Sequence, residues 1–478
     1  MKPHKILLFI LAIIAMLAVL SVYFPKNGIN ILGKRFLFPS PEEILINDSD
    51  TSIVNKKDLI AEIDIFQRQL QQQQQDALND TIDVFCNFFE NHPARIYLPD
   101  DNLGFFDSLF VAMDNCRRDT SLVHILHYGD SQIELDRISG FLRHKLQERF
   151  GGAGAGLLPA VQVIPSTAIY QTATGDIERY IVSGMHRSSA GHNRYGILGQ
   201  VAHAYDGGAI NYSAYNSKNT SQNVKKWTTV RLFVNRSNKN FSAKFTSKPL
   251  TEKIKNEEAK QSPYILEWHL EDSISKFSVS FTGSSEIAAV SLDGDYGVNV
   301  DNVPFRGSSG TFFTQIDTTA AIMAMRELNV KLILLQFGGN AIPRLTTDKA
   351  QEDFANDIAK QIRHFQKIRP EAQIVLIGPS DMSTKINGKL QTYPNLEKVV
   401  EMLKNAAVEN GAAYWSIYEA MGGHNSMLDW VKQQPPLASS DYTHFSQLGA
   451  DKVAEIFYNS LMNYYEYYLF INRNFYNN

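Results

Sequence analysis

The chain has 478 residues, 44% hydrophobic and 20% charged, an ordinary globular composition with ample length for a full core. A formal net charge of -4 lacks the basic stripe of a nucleic-acid binder, so no nucleic-acid partner is expected. The two cysteines, Cys86 and Cys116, form no metal motif, and their spacing leaves open whether they pair or stay as isolated buried thiols.

Lys2 and Lys5 precede the uncharged run Ile6–Phe24, which has the length of a helix crossing a bilayer. The residues before Pro25 offer no small-x-small cleavage site, and no cysteine follows for a lipid anchor. Residues 1–24 therefore read as an uncleaved signal anchor, oriented N-in with the body exported, although Lys26, Lys34 and Arg35 on the far side weaken the charge asymmetry. Residues 25–120 read as a stalk followed by a helical region. That region holds a helical stretch from Lys56 to Asn91 with the run Gln71–Gln75, and a second helix from Leu103 to Cys116.

Leu122–Gly129 is an apolar run that ends in Gly129-Asp130-Ser131-Gln132. Ile133, Ile138, Phe141, Leu142, Leu146 and Phe150 then follow helical spacing, with Arg137, Arg143, Lys145 and Glu148 between them. The order strand, tight turn, helix puts Ser131 at the carboxyl edge of a parallel sheet and at a helix amino terminus. The glycine-rich run Gly151–Gly156 follows a helix and lacks the Lys-Ser/Thr ending of a phosphate loop, so it reads as a flexible helix exit near the active-site rim.

From about Val161 to Ser291 short β-rich runs recur: Tyr180–Val182, Thr228–Val234, Phe241–Phe245, Tyr264–Leu270, Phe277–Phe281 and Ile287–Leu292. Turn residues separate them, and several alternate apolar with polar positions, which predicts an antiparallel sandwich over roughly 166–296. Strand–helix alternation returns from Gly297. Gly297–Val303, Lys331–Phe337, Gln373–Ile377 and Ala412–Tyr418 are strands, with helices at Thr318–Leu328, Lys349–Ile368, Leu396–Asn410 and about Gln447–Tyr464. This pattern means a parallel sheet covered on both faces, split by the β-rich insert. One α/β domain then comprises 121–165 plus 297–465, and 466–478 is an aromatic tail.

Serine acyl transfer needs a nucleophile, a base, a group orienting that base, and donors for the oxyanion. Strand ends at Gly129-Asp130-Ser131, Gly307-Ser308-Ser309-Gly310 and Gly338-Gly339-Asn340 converge on one sheet edge. Asp441 and His444, three residues apart, bring carboxylate and imidazole within one turn, Asn340 offers a side-chain N–H, and Gly310 a backbone N–H. His127 reads as a packed histidine and Asp130 as a turn residue, while His424 lies in a loop as either a substrate contact or a surface residue. No cluster has metal spacing, and the mechanism calls for no cofactor.

These blocks resemble the SGNH/GDSL hydrolase superfamily. Gly129-Asp130-Ser131, Gly310, Gly338 with Asn340, and Asp441-x-x-His444 match its signature blocks in order. The resemblance implies a three-layer, flavodoxin-like α/β fold with Ser131 as nucleophile, His444 as base and Asp441 orienting it. The Ser131 N–H, Gly310 and Asn340 would form the oxyanion hole. Gln132 departs from the common Leu, Phe305 stands where Asn is usual, and Ala341 replaces Asp. The β insert between the first two blocks is similar to that of bacterial peptidoglycan O-acetylesterases. With the expected anchor placing the body outside the cytoplasm, the resemblance implies a single-pass inner-membrane esterase with its catalytic domain in the periplasm, acting on an acetylated polysaccharide or peptidoglycan. The alternatives are an O-acetyltransferase working with a membrane acyl-transfer partner, and a catalytically silent carbohydrate-binding protein.

Overall fold

The computed structural model describes residues 78–476 apart from 193, 216–220, 248–251 and 256–261, together with short pieces between 16 and 36. The glutamine run and most of the expected anchor lie outside the described residues. Among the described residues no helix is long and apolar enough to cross a membrane. Residues 1–58 form a unit of their own, in which Ile29–Ile31 pairs antiparallel with Lys34–Phe36.

Residues 59–478 form the second unit, built on a six-stranded sheet. Its strands are β1 (Ile96–Tyr97), β2 (Leu122–Gly129), β3 (Gly297–Pro304), β4 (Val330–Gln336), β5 (Gln373–Ile377) and β6 (Ala413–Trp415). The order is β3-β2-β4-β5-β6-β1, parallel throughout except for the edge pair β6·β1. Strand alternation sends Val123, Ile125, Leu332 and Leu334 to one face and Leu126, Tyr128, Ile333 and Leu335 to the other. The first face is covered by α1 (Leu78–Asn91), α2 (Asp107–Asn115), α3 (Ser139–Phe150) and α7 (Gln447–Ile471). The second is covered by α4 (Thr318–Glu327), α5 (Asp348–Ile368) and α6 (Leu396–Val408). With both faces buried, β4, β5 and β6 are near-continuous apolar runs, whereas β3 alternates valines with Asn299, Asp301 and Asn302, of which Asp301 enters the buried polar network described below.

Between α3 and β3 the chain forms two antiparallel sheets around a shared core that includes Trp227, Trp268, Phe245, Phe277 and Tyr212. One sheet runs Tyr264–Ile274, Trp227–Ser237, Ser285–Asp293, Gln200–Ala204, Ile177–Ile181, and Gly156–Leu158 also pairs with Ser285–Asp293. The other runs Glu252–Lys255, Ser242–Thr246, Lys276–Thr282, Ala209–Ala214, Ile169–Thr174. Phe233, Ala288 and Ala289 of the first sheet pack into the core beneath α4–α6, so the insert is continuous with the α/β body. A buried polar network seals the seam. His124 of β2 lies 2.8 Å from Asp301 and 3.3 Å from Asp293, and Arg231 reaches Asp293 at 3.2 Å.

Three local readings need correction. The helix expected directly after Ser131 begins at Ser139; Ser131–Asp136 is instead a 3-10 turn, broken where Leu135 and Asp136 adopt positive φ. Ile133 keeps the helical spacing because it packs under Gly129, where an added Cβ would come within 2.9 Å of it. Gly151–Gly156 is not an exit at the active-site rim. It packs on the amino end of β3, and a Cβ on Gly152 or Gly154 would meet the Val298 or Leu292 carbonyl oxygen at 2.7 and 2.1 Å. The last helix does not stop near Tyr464 but continues to Ile471, because its aromatic residues stack on α1, with Tyr464 4.2 Å from Phe89 and Tyr467 5.5 Å from Phe85. Cys86 and Cys116 are both free thiols.

Candidate active site

The parallel order β3-β2-β4 brings the three expected strand ends side by side, since Gly129 pairs with Pro304 on one flank and Gln336 on the other. Asp130 caps the turn after β2, its Oδ1 accepting from Gln132 N at 3.0 Å, and Ser131 follows at the carboxyl edge. His444 arrives from the loop before α7. That loop is closed by Ser439 N–H donating to the His444 carbonyl at 2.8 Å and by Ser446, whose Oγ caps the helix at Gly449 N. Gly449 is obligatory here, because a Cβ would lie 1.8 Å from the Leu437 carbonyl oxygen.

Ser131 Oγ lies 2.9 Å from His444 Nε2, and His444 Nδ1 lies 2.7 Å from Asp441 Oδ2. Asp441 Oδ1 accepts the backbone N–H groups of Thr443 and His444, each at 3.0 Å. Burial works against ionisation of Asp441, but the His444 N–H, the His444 imidazole and the Thr443 N–H outweigh it and hold the carboxyl below its ordinary range. A carboxylate fixed in this way holds the imidazole with Nε2 facing the serine, the arrangement a general base requires.

Ser131 and His444 open on a cavity of ≈ 150 Å³ bordered also by Asn340, Gln336, Met382 and Ile417. The Asn340 amide donates to Asp130 Oδ2 at 3.0 Å and to the Ser308 carbonyl at 3.1 Å. Gly310 N–H points to Ser308 Oγ at 3.3 Å, and Gly310 does not line this cavity. Burial pushes the Asp130 carboxyl up to about 6, against the opposing pull of the Gln132 N–H and the His444 ring. Of the other expected residues, His127 is buried between Gln336 and Ser139, and His424 sits at the surface on Glu397 at 2.9 Å. Phe305 fills a core position 4.4 Å from Phe312, and Ala341 is likewise buried.

The sequence reading missed how the nucleophile turn is tied to the base loop. Gln132 Nε2 donates to the Thr443 carbonyl at 2.7 Å, and its Oε1 accepts from Phe445 N at 3.3 Å. Arg137 donates to the carbonyls of Ser131 at 2.6 Å and Phe445 at 3.1 Å. Beneath them Asp136 and Arg143 form a buried bidentate pair at 2.6 and 3.0 Å, with Arg143 also donating to the Val300 carbonyl at 2.7 Å. On the outer side Arg306 pairs with Glu134, linking the turn to the loop after β3. The departure of Gln132 from the common leucine is the one signal in the sequence that could have pointed to this clamp; Arg137 and Arg143 stood only as polar residues between helically spaced apolar ones.

No family model matches the sequence, and no curated protein matches it. A solved structure of a peptidoglycan O-acetylesterase aligns over 75% of this chain and 95% of its own, with a TM-score of 0.60 and 19% identity. A family two carbohydrate esterase from Cellvibrio japonicus covers 63% of this chain and 99% of its own at 10% identity, and an acetyl xylan esterase covers 34% and 81% at 14%. Their TM-scores of 0.25 and 0.26 lend no further weight. At 19% identity the first likeness establishes the fold alone, an α/β body with an inserted β region.

Proposed function

We propose that this chain is an exported serine esterase that removes O-acetyl groups from a cell-envelope glycan, with peptidoglycan as the substrate. The observation that carries the reading is the unbroken chain Ser131–His444–Asp441, at 2.9 and 2.7 Å, opening on a small cavity. His444 Nε2 takes the Ser131 proton as Oγ bonds to the ester carbonyl carbon. The carbonyl oxygen becomes the oxyanion. Collapse breaks the bond to the sugar oxygen, which leaves with the proton held on His444. Water, deprotonated by the same imidazole, then releases acetate and restores Ser131. Asn340 borders the cavity and with the Ser131 N–H is proposed to receive the oxyanion; Gly310, the third proposed donor, would exchange its long contact with Ser308 to join them.

The fold shared with a peptidoglycan O-acetylesterase supports this substrate class. So does a second cavity, at the seam between the insert and the α/β body, bordered by Pro159, Ser183, Gln200 and Arg306. Arg306 is the residue paired to Glu134 on the Ser131 turn, which suits a polymer running from the insert to the nucleophile. We read the whole as a three-layer SGNH domain with an inserted β-sandwich, held outside the cytoplasm by the apolar segment within residues 1–24. An O-acetyltransferase fed by a membrane acyl-transfer partner would share the acyl-enzyme step and differ in the group that accepts the acyl. Incubating the purified full chain with O-acetylated peptidoglycan, and separately with an acyl donor plus unacetylated glycan, separates the two. Acetate release in the first assay is expected; glycan acetylation in the second with little free acetate would overturn the esterase reading.

A further inference from the structure

The loop 305–317 carries Gly310 and holds no strand or helix beyond the 3-10 turn Phe313–Gln315, so its course is set by what it packs against. The insert grips it at both ends and in the middle. The Met185 N–H donates to the Arg306 carbonyl at 2.8 Å, and the Asp317 N–H donates to the Tyr195 carbonyl at 2.7 Å. Between these ends Ser183, just after the insert strand Ile177–Ile181, places its Oγ 2.9 Å from Ser308 Oγ. The approach is close. A Cβ on Gly184 would stand 2.6 Å from the Arg306 carbonyl oxygen, and one on Gly199 would stand 2.6 Å from the Phe305 ring.

Ser308 joins this grip to the proposed oxyanion donors. Its carbonyl accepts from the Asn340 amide at 3.1 Å, and its Oγ accepts from the Gly310 N–H at 3.3 Å. Ser308 is buried, and Ser183 Oγ and the Gly310 N–H are the partners of its hydroxyl among the described residues. The Gly310 N–H can only donate, so the Ser308 O–H donates to Ser183 Oγ. Without Ser183 that hydrogen would be buried and unpaired, a state folded proteins avoid by moving the group. On its other side Gly310, at φ +81°, lies against Phe337, where a Cβ would come within 2.5 Å of the ring. Gly310 is thus held between Phe337 and a hydroxyl whose place the insert fixes.

We propose that Ser183 is a positioning residue, through which the insert holds Ser308, and with it the Gly310 and Asn340 donors, in register with Ser131. The insert then belongs to the machinery that stabilises the oxyanion, beyond any part it has in holding a glycan. The proposal rests on the serine-esterase reading above. Neither serine takes part in a covalent step.

The test measures kcat, KM and thermal midpoint on a small chromogenic acetyl ester, so that a loss reports on the oxyanion hole and not on glycan binding at the seam. In the full chain Ser183→Ala should lose about tenfold in kcat, the scale of one buried hydrogen bond, with KM within about twofold. Ser183→Thr keeps the hydroxyl and should recover most of the rate. Ser308→Ala should lose about as much as Ser183→Ala, and the double variant no more than either, because both changes remove the same link. A merely structural role predicts a lower midpoint with kcat unchanged wherever the variant is folded. A Ser183→Ala kcat within about twofold of wild type, a Ser308→Ala enzyme at the wild-type rate, or losses that multiply in the double variant would overturn the proposal. Should Ser183→Ala fail to fold, Ser183→Cys, whose sulfur is a weak acceptor, decides on the same criterion. Any of these results with a wild-type chain that turns over and labels at Ser131 sinks this inference and leaves the esterase reading standing. A wild-type chain that neither turns over nor labels at Ser131 sinks both.

Discussion

Replacing Gln132 with leucine gives the sequence Gly-Asp-Ser-Leu at the end of β2 and should impair this protein. The side chain holds the base loop by two bonds, one to the Thr443 carbonyl at 2.7 Å and one from Phe445 N at 3.3 Å. These residues flank His444, so the imidazole inherits its position from them. Each such bond contributes about 0.5–1.5 kcal/mol net, which puts the anchoring at about 1–3 kcal/mol. If the whole of that is lost from the transition state, kcat/KM falls about 5- to 150-fold, at 1.36 kcal/mol per tenfold. Arg137, which ties Ser131 and Phe445 by their carbonyls, remains and keeps the loss from growing larger. The assay is hydrolysis of an acetyl ester together with the thermal midpoint, and Gln132→Glu serves as an intermediate variant that keeps the acceptor but not the donor. A Gln132→Leu enzyme within twofold of wild type, with Arg137→Leu equally silent, would refute the idea that these residues place the base.

Other consequences follow from the same geometry. Asn340→Ala should cost about 10²–10³-fold in kcat if its amide serves the oxyanion; a smaller loss, with the midpoint lowered, would assign the residue to holding Asp130 and Ser308. Burial alone would lower the His124 imidazole, but Asp301 and Asp293 lift it to about 10, against an unfolded value of about 6.5. A raised folded value gives stability that is complete below about pH 6.5 and is lost as pH climbs to about 10. Urea unfolding at pH 6 and pH 9 should therefore show wild type losing stability across that window. His124→Gln should be weaker by about 3–5 kcal/mol at pH 6 and lack that alkaline loss. An identical pH slope in the variant would contradict the charged state assigned to His124.

The strand ends that carry Ser131, Asn340 and the loop that carries Asp441 and His444 were legible because each is a short local motif, and because strands buried on both faces advertise themselves as apolar runs. The insert was legible as antiparallel texture, but Ile169–Thr174, Gln200–Ala204 and Ala209–Ala214 were passed over. They are short, and Ala, Ser, Asn and Gln interrupt their β-branched and aromatic residues, so no apolar run marks them and pairing with neighbouring strands defines them. The break at Leu135–Asp136 was hidden by helical spacing that runs straight through it, since the pairing of Asp136 with Arg143 is a fact of space and not of periodicity. For the same reason Gln132 and Arg137 looked inert. Each acts through backbone groups that the fold, and not the sequence, brings near.

Acylation of Ser131 is tested directly by mass spectrometry of the full chain after treatment with a fluorophosphonate. One adduct is expected, located on Ser131, formed far more slowly in His444→Ala and absent in Ser131→Ala, with acetyl-ester hydrolysis lost in parallel. Folded wild-type protein that takes no label at Ser131, or a Ser131→Ala variant that hydrolyses acetyl esters at the wild-type rate, would contradict it.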